Sequence, residues 1–398
     1  MRFSGFGDKR SGMKIDALVE RELAGLAEAG LLRMPRRIEG PQGPVVSVNG
    51  RRALCFCSNN YLGFADHPAM AAAASAAISE LGFGACGSRH ITGTMRLHKD
   101  LEDRIAQFVD QPRALFFPTG YAANQGAIQA LSVPGCLVLS DALNHASIID
   151  GCRLGRATVK VYRHADVEHV RELLDASRDR YELRMVVTES VYSMDGDLAP
   201  LRELRALCDE HEAALFVDDA HAFGAMGDRG RGACAMLGVK PDVITGTFGK
   251  AFGCSGAFVA ASNAIVDWIE NRARSHVFTT APSPALPAAA LAAFDLIERA
   301  DDRRAQLQEH ATMLRSGLAQ QGYEVLGNTH IVPLLLGAAD RSTRFSELLL
   351  ERGVFVHGIR PPTVAPGTSR LRITPQATHT REQIDATLRA FTDLRGEV

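Results

Sequence analysis

Two neighbouring runs decide the fold: VDDAHAFGAMG at residues 217–227 and DVITGTFGKAFGCSGA at residues 242–257. Each opens on a short apolar stretch and runs out into small and polar residues, the pattern of a buried parallel strand that ends in a loop. The predicted strand ends carry Asp218, His221 and Lys250. In an open parallel sheet, ligands sit beyond the carboxyl ends of the strands, so these side chains fall where chemistry is done.

Outward from this pair, short β-rich runs recur: ALFF (114–117), CLVLS (136–140), TVKVY (158–162), MVVTES (185–190), ALFVDDA (214–220), DVITGTF (242–248) and GAFVAA (256–261). They alternate with helical patterns, which argues for right-handed crossovers and an α/β fold with a mostly parallel sheet covered by helices. Before them, Leu18, Leu23, Leu26 and Leu31 have helical spacing, and VVSVNGRRALCFCSNN reads as a hairpin. After them, the alanine-rich PALPAAALAAFDLIERADD is predicted to carry the chain into a smaller α+β unit. The expected division is an N-terminal arm at 1–58, a large domain at 59–297 and a small C-terminal domain at 298–398.

Composition narrows the class. A chain of 398 residues exceeds the usual size of a single core, which agrees with two lobes. The net charge of -2 gives no general attraction to nucleic acid or to an anionic membrane, so any anion site must be local. The eight cysteines show no CxxC pair and no zinc spacing, and several lie in apolar runs, as expected of buried thiols in a reducing compartment. The first residues, MRFSGFGDKRSGMKIDALV, lack the apolar core of a signal peptide, and no apolar run reaches spanning length, so a cytoplasmic location is expected.

A lysine and a carboxylate at the ends of adjacent strands are the equipment of a pyridoxal 5′-phosphate (PLP) enzyme. PLP serves as an electron sink when a lysine holds it as a Schiff base and a carboxylate keeps its ring nitrogen protonated. Lys250 answers the first need and Asp218 the second; the alternative is a solvated loop lysine beside a strand-end carboxylate. The small residues Gly246, Thr247, Gly249, Ala251 and Gly253 around Lys250 would let backbone and hydroxyl groups approach a phosphate.

Four other stretches bear on this reading. In PTGYAANQGAI (118–128), Gly120 and Tyr121 begin a helix whose N–H groups suit a phosphate. In SDALNHASIIDG (140–151), His145 follows a buried strand and either stacks on a pyridinium ring or caps the next helix. In TESVYSMDGDLAPL (188–201), Ser193 offers a hydroxyl to a ring oxygen or a carboxylate, or merely opens a turn. In RLRIT (370–374), Arg370 and Arg372 share one strand face, so one can clamp a carboxylate; a solvated pair is the alternative.

With these residues in view, the chain resembles the α-oxoamine synthases, PLP-dependent enzymes of the aspartate aminotransferase fold type I. The similarity runs from SNNYLG (58–63) to RLRIT and the HT at 379–380, through GSRHITGT, FPTGYAAN, NHAS, YSMDGD, VDDAH, TFGKAFG and RPPTV. The resemblance implies that Lys250 carries the cofactor and moves protons. By it, Asp218 pairs with the pyridine nitrogen, His221 and Ser193 bond the phenolic oxygen, and His145 stacks on the ring. Thr247 with the Gly120 and Tyr121 N–H groups would bind the phosphate, and Thr279 and Thr280 would be contributed across a homodimer interface. Asn59 and Arg372 match positions that hold the amino-acid carboxylate.

The implied reaction is a decarboxylative Claisen condensation of a small amino acid, L-alanine favoured, with an acyl thioester, a pimeloyl-CoA or pimeloyl-carrier protein favoured. Relatives that use glycine or serine with other acyl-CoAs, or that serve secondary metabolism, remain open, because one methyl group changes selectivity by only about 1–3 kcal/mol. A fold-type-I transaminase or lyase would share Lys250 and Asp218 without needing an acyl chamber. A non-catalytic scaffold subunit would typically lack the lysine. A dinucleotide-binding enzyme is excluded, because no G-x-G-x-x-G follows the first strand. Two departures stand out: Pro375, Gln376 and Thr378 replace a run of small residues before the His-Thr, and GPQGPVVSVNG lengthens the arm.

Overall fold

The computed structural model describes residues 15–397; the segment 1–14, with most of the stretch read as lacking a signal peptide, lies outside the described residues. A helix, Ile15–Glu28, opens the arm and buries none of its side chains. Strands β1 (Ile38–Glu39), β2 (Val45–Val48) and β3 (Arg51–Cys55) follow, and β2 and β3 form the predicted antiparallel hairpin about Asn49 and Gly50.

All seven predicted strands of the central region form one sheet: β4 (Arg113–Phe117), β5 (Cys136–Asp141), β6 (Thr158–Tyr162), β7 (Leu183–Glu189), β8 (Ala214–Asp218), β9 (Val243–Thr247) and β10 (Ala257–Ala261). Their order is β4-β10-β9-β8-β7-β5-β6, parallel except for β10, which is antiparallel to both of its neighbours. Strands such as CLVLSD are buried at every position because helices cover both faces of the sheet. One face packs Leu137, Leu139, Val186, Leu215 and a cluster of Phe223, Phe248, Phe252, Phe258 and Phe294. The other packs Leu115, Val138, Val187 and Phe216 against the helix Gly120–Leu131.

The alanine-rich helix, Ala285–Glu298, stays on the main sheet with Ala290, Ala293 and Phe294 in its core. The crossing falls instead to the next helix, Asp301–Gln320, whose Leu307 lies in the main core while Ala311, Leu314 and Leu318 lie in a second one. The first helix ends before Arg299, so the apolar stripe restarts on a new axis instead of continuing. The second core is capped by a three-stranded sheet of β11 (Val332–Gly337), β13 (His357–Ile359) and β14 (Ser369–Ile373), ordered β11-β14-β13.

The short β12 (Val354–Phe355) pairs in parallel with β3, which ties the N-terminal arm to the C-terminal unit. The lengthened arm thus forms a four-stranded sheet of its own, ordered β1-β2-β3-β12, with β12 as its edge. The unusual Gln376 is absorbed there too, donating to the Gly43 and Cys55 carbonyls. Among the described residues no helix is long and apolar enough to cross a membrane. All eight cysteines are free, five of them buried.

Candidate active site

Consecutive strand ends bring the site together. Asp218 closes β8 in register with Glu189 at the end of β7 and Thr245 on β9, so three polar side chains line one lip of the sheet. Asp218 is 7% exposed. Its Oδ2 accepts from Asn124 Nδ2 at 2.6 Å and its Oδ1 from the Ala220 N–H at 3.0 Å, so both carboxylate oxygens are held in place. Asn124 Nδ2 also donates to Ser147 Oγ at 3.0 Å, and its Oδ1 accepts from Thr245 Oγ1 at 2.8 Å, so one amide braces the acid from the helix Gly120–Leu131.

Lys250 follows β9 in a tight loop. Gly253 has φ +64°, and a Cβ there would collide with the backbone of Phe64 and Ala65, so the lysine loop and the SNNYLGFA segment require a glycine where they meet. Burial lowers the Lys250 pKa to about 8, with Arg372 adding to the effect while Asp218 and Glu189 oppose it. Near pH 8 a large fraction of this amine is therefore neutral and nucleophilic. Burial, together with Asp218, holds the Glu189 carboxyl well above its usual range. His221 is pushed well below its ordinary value by burial and by Lys250, Arg372 and neighbouring histidines, which keeps it neutral.

The phosphate-binding expectation has a matching cradle. Thr119 caps the helix Gly120–Leu131 by accepting from the Ala122 N–H at 3.1 Å, and the Ala123 N–H goes to the Thr119 carbonyl. The Gly120 and Tyr121 N–H groups have no partner among the described residues. Thr247 stands opposite, with its Oγ1 3.9 Å from where a Gly120 Cβ would lie and accepting from the Gly249 N–H at 3.1 Å. The Tyr121 ring itself is largely exposed and its hydroxyl bonds Asp150.

His145 does cap the following helix, as the alternative reading held, with Nδ1 2.8 Å from Ser147 Oγ. The residue is exposed, so capping and stacking are compatible. Through Ser147 and Asn124 it joins the chain of contacts that ends at Asp218.

The other half of the site comes from distant sequence. Arg372 is 7% exposed, which rules out the solvated-pair reading. Its Nε donates to the Ser193 carbonyl at 2.5 Å, Nη1 to Asn59 Oδ1 at 3.1 Å and Nη2 to the Tyr61 hydroxyl at 3.3 Å. Arg370, also buried, instead binds Asp195 at 2.6 Å and the Met194 carbonyl, fixing the loop that carries Ser193. Arg372 has no acidic partner among the described residues, so a carboxylate has donors waiting for it.

Arg372 also lines a cavity of about 680 Å³ between the arm and the small sheet. Leu32, Met34, Ile38, Phe355 and Ile359 give it apolar walls, and Arg33, Arg36 and Arg360 add positive charge against the single carboxylate of Glu347.

Sequence reasoning passed over four side chains. Tyr61 is fully buried, with its hydroxyl 2.7 Å from His221 Nδ1. Asn124 and Glu189 were inside quoted motifs without a role, although Asn124 lies one helical turn after Gly120 on the buried face. His330 packs edge-on to Tyr61 at 4.3 Å and had no motif to flag it. Thr279 and Thr280 join none of these contacts within the chain; Thr280 is exposed and its backbone bridges Ser88.

These donors suit PLP: a braced acid for the ring nitrogen, a partly neutral lysine, free N–H groups facing a threonine for the phosphate, and an open imidazole beside them. Fold and site together define a PLP-dependent enzyme of fold type I. The family model described as aminotransferase class I and II matches residues 52–391. The 8-amino-7-oxononanoate synthase of Geotalea daltonii is 46% identical over 375 residues, 93% of this chain and 95% of that protein. The enzyme of the same name from Geobacter metallireducens is 48% identical, over 91% of this chain and 94% of its own. A serine palmitoyltransferase from S. paucimobilis, solved with a PLP–myriocin adduct, superposes with a TM-score of 0.89 at 32% identity, covering 96% of this chain and 97% of its own. The chain belongs to the class I and II aminotransferase family and, within it, to the 8-amino-7-oxononanoate synthases among the α-oxoamine synthases.

Proposed function

We propose that the protein condenses L-alanine with a pimeloyl thioester, releasing carbon dioxide and free thiol and forming 8-amino-7-oxononanoate, as a cytoplasmic homodimer. The observation that carries this reading is the position of Arg372 between a lysine of lowered pKa and a cavity with apolar walls and three further arginines. A transaminase or lyase needs the lysine and the acid but no chamber for an acyl chain.

When bound, PLP supplies a protonated ring that accepts the electron pair left on the amino acid's α-carbon. Asp218, held by Asn124, keeps that ring nitrogen protonated. Lys250 would hold the cofactor through its carbonyl carbon and, as a neutral amine, would take the α-proton of the amino acid. Arg372 and Asn59 hold the substrate carboxylate until it leaves as carbon dioxide. The apolar walls of the cavity take the acyl chain, and Arg33 and Arg36 answer a carboxylate at its far end. His145 covers one face of the ring, while Thr247 with the Gly120 and Tyr121 N–H groups holds the phosphate. Thr279 and Thr280 complete the partner's site.

The test is thiol release by the PLP-loaded protein with alanine, glycine or serine against acetyl-, succinyl-, pimeloyl- and palmitoyl-CoA. Release with alanine and pimeloyl-CoA alone supports the reading. A different productive pair keeps the mechanism and changes the substrate, and alanine consumption without thiol release would favour a transaminase.

A further inference from the structure

Tyr61 stands where the two halves of the site meet. Its ring is fully buried, and burial raises its pKa, so the hydroxyl keeps its hydrogen. Three groups surround that oxygen: His221 Nδ1 at 2.7 Å, Asn59 Oδ1 at 3.0 Å and Arg372 Nη2 at 3.3 Å. Arg372 can only donate, so the oxygen accepts there. One hydrogen is left for two neighbours: it satisfies either Asn59 Oδ1 or His221 Nδ1, and an imidazole nitrogen not offered a hydrogen must supply its own.

Asn59 Oδ1 also accepts from Arg372 Nη1 at 3.1 Å. A carboxylate drawing the Arg372 donors toward itself weakens that bond and leaves Asn59 Oδ1 to pull harder on the tyrosine hydrogen. The choice made at Tyr61 then fixes which nitrogen of His221 carries hydrogen. No other hydrogen bond reaches the His221 ring among the described residues, so among them Tyr61 alone sets its tautomer.

We propose that Tyr61 is a positioning residue that links the carboxylate clamp of Arg372 and Asn59 to His221, so that binding of the amino acid's carboxylate is felt at the cofactor's ring oxygen. This rests on the function proposed above, together with the place beside that oxygen which the family resemblance gives His221. It supplies a reason for two features otherwise unconnected: a phenol buried beside a buried guanidinium, and a neutral histidine among cations.

The probe is propionate, which has alanine's carboxylate but no amine to react with the cofactor. Propionate is expected to compete with alanine and to shift the visible band of the PLP-loaded wild type. In Tyr61→Phe it should still compete but no longer shift the band, and kcat for alanine should fall about tenfold with KM changed far less. A band shift that persists in Tyr61→Phe, or propionate bound to the wild type without any shift, overturns the proposal. So does an unchanged kcat in a Tyr61→Phe protein that melts like wild type. Should that variant fail to fold, His221→Asn cuts the link at its other end and must abolish the same shift. A wild type with no visible band, or thiol release that does not depend on alanine, would count against the underlying function and not against the link.

Discussion

The cofactor half of the site and the substrate half are built in opposite ways. Asp218, Thr245, Thr247 and Lys250 leave the ends of two adjacent strands; Asn124 on the helix Gly120–Leu131 braces Asp218 and Thr245, and the lysine loop itself holds Thr247. Asn59, Tyr61, Ser193 and Arg372 come from three stretches far apart in sequence, and a single guanidinium holds them together. The first half has its acid held before any ligand arrives and leaves the Gly120 and Tyr121 N–H groups open. The second is a set of donors without an acid, opening into a cavity with cations to spare. A rigid half suits the cofactor, which stays, and an unsatisfied half suits substrates that come and go.

This contrast can be broken most sharply at Lys250. Lys250→Ala should lose the visible band of the bound cofactor entirely, by absorption spectroscopy of the reconstituted protein, and a band that survives would remove the lysine from its role. Asp218→Asn keeps shape but removes charge, and turnover should fall at least about a hundredfold in steady-state assays.

On the substrate side the effects should be selective. Replacing Arg33 and Arg36 together by alanine should lower the preference for pimeloyl-CoA over heptanoyl-CoA about tenfold, read as the ratio of kcat/KM values. An equal loss for both thioesters would mean that these arginines bind the CoA phosphates instead. The pH dependence of cofactor capture sharpens the other side. With its pKa lowered to about 8, Lys250 in the cofactor-free protein should bind PLP at a rate that rises with pH and reaches half its maximum near pH 8.

The smallest effect belongs to His164, which bonds Asp141 and Asp197 at 2.9 Å each and so ties the end of β5 to the Ser193 loop. Burial works against its charge, but the two carboxylates overcome it and raise its pKa to about 10. A raised folded-state value means that the stabilisation is complete below the unfolded value of about 6.5 and fades as pH rises through about 10. The melting-point difference between wild type and His164→Gln should therefore be larger at pH 6 than above pH 10.

Which half could be read from sequence follows from the same contrast. The seven central strands and the positions of Asp218 and Lys250 were legible, because apolar runs bounded by small residues sit within thirty-odd residues of each other and local patterning decides them. The strand alternation offered Arg370 and Arg372 as a pair without choosing between them, and Asn59 came only from family motifs, since 313 positions separate Asn59 from Arg372 and no local period records that they meet. Tyr61 was hidden for a further reason: a buried aromatic in an apolar stretch looks like core until its hydroxyl's partners are known. The crossing helix was misplaced by one element because alanine-rich periodicity continues across Arg299 and Ala300, where only packing makes the break.

The most direct test of a separable cofactor half and substrate half is a spectral titration of PLP-loaded Arg372→Ala with L-alanine. The band without alanine should match that of the wild type in intensity and lie close to it in position, while the alanine concentration for half-saturation should rise at least about tenfold, because charged hydrogen bonds to the carboxylate are lost. Loss of the band, or saturation at the wild-type alanine concentration, would contradict the division.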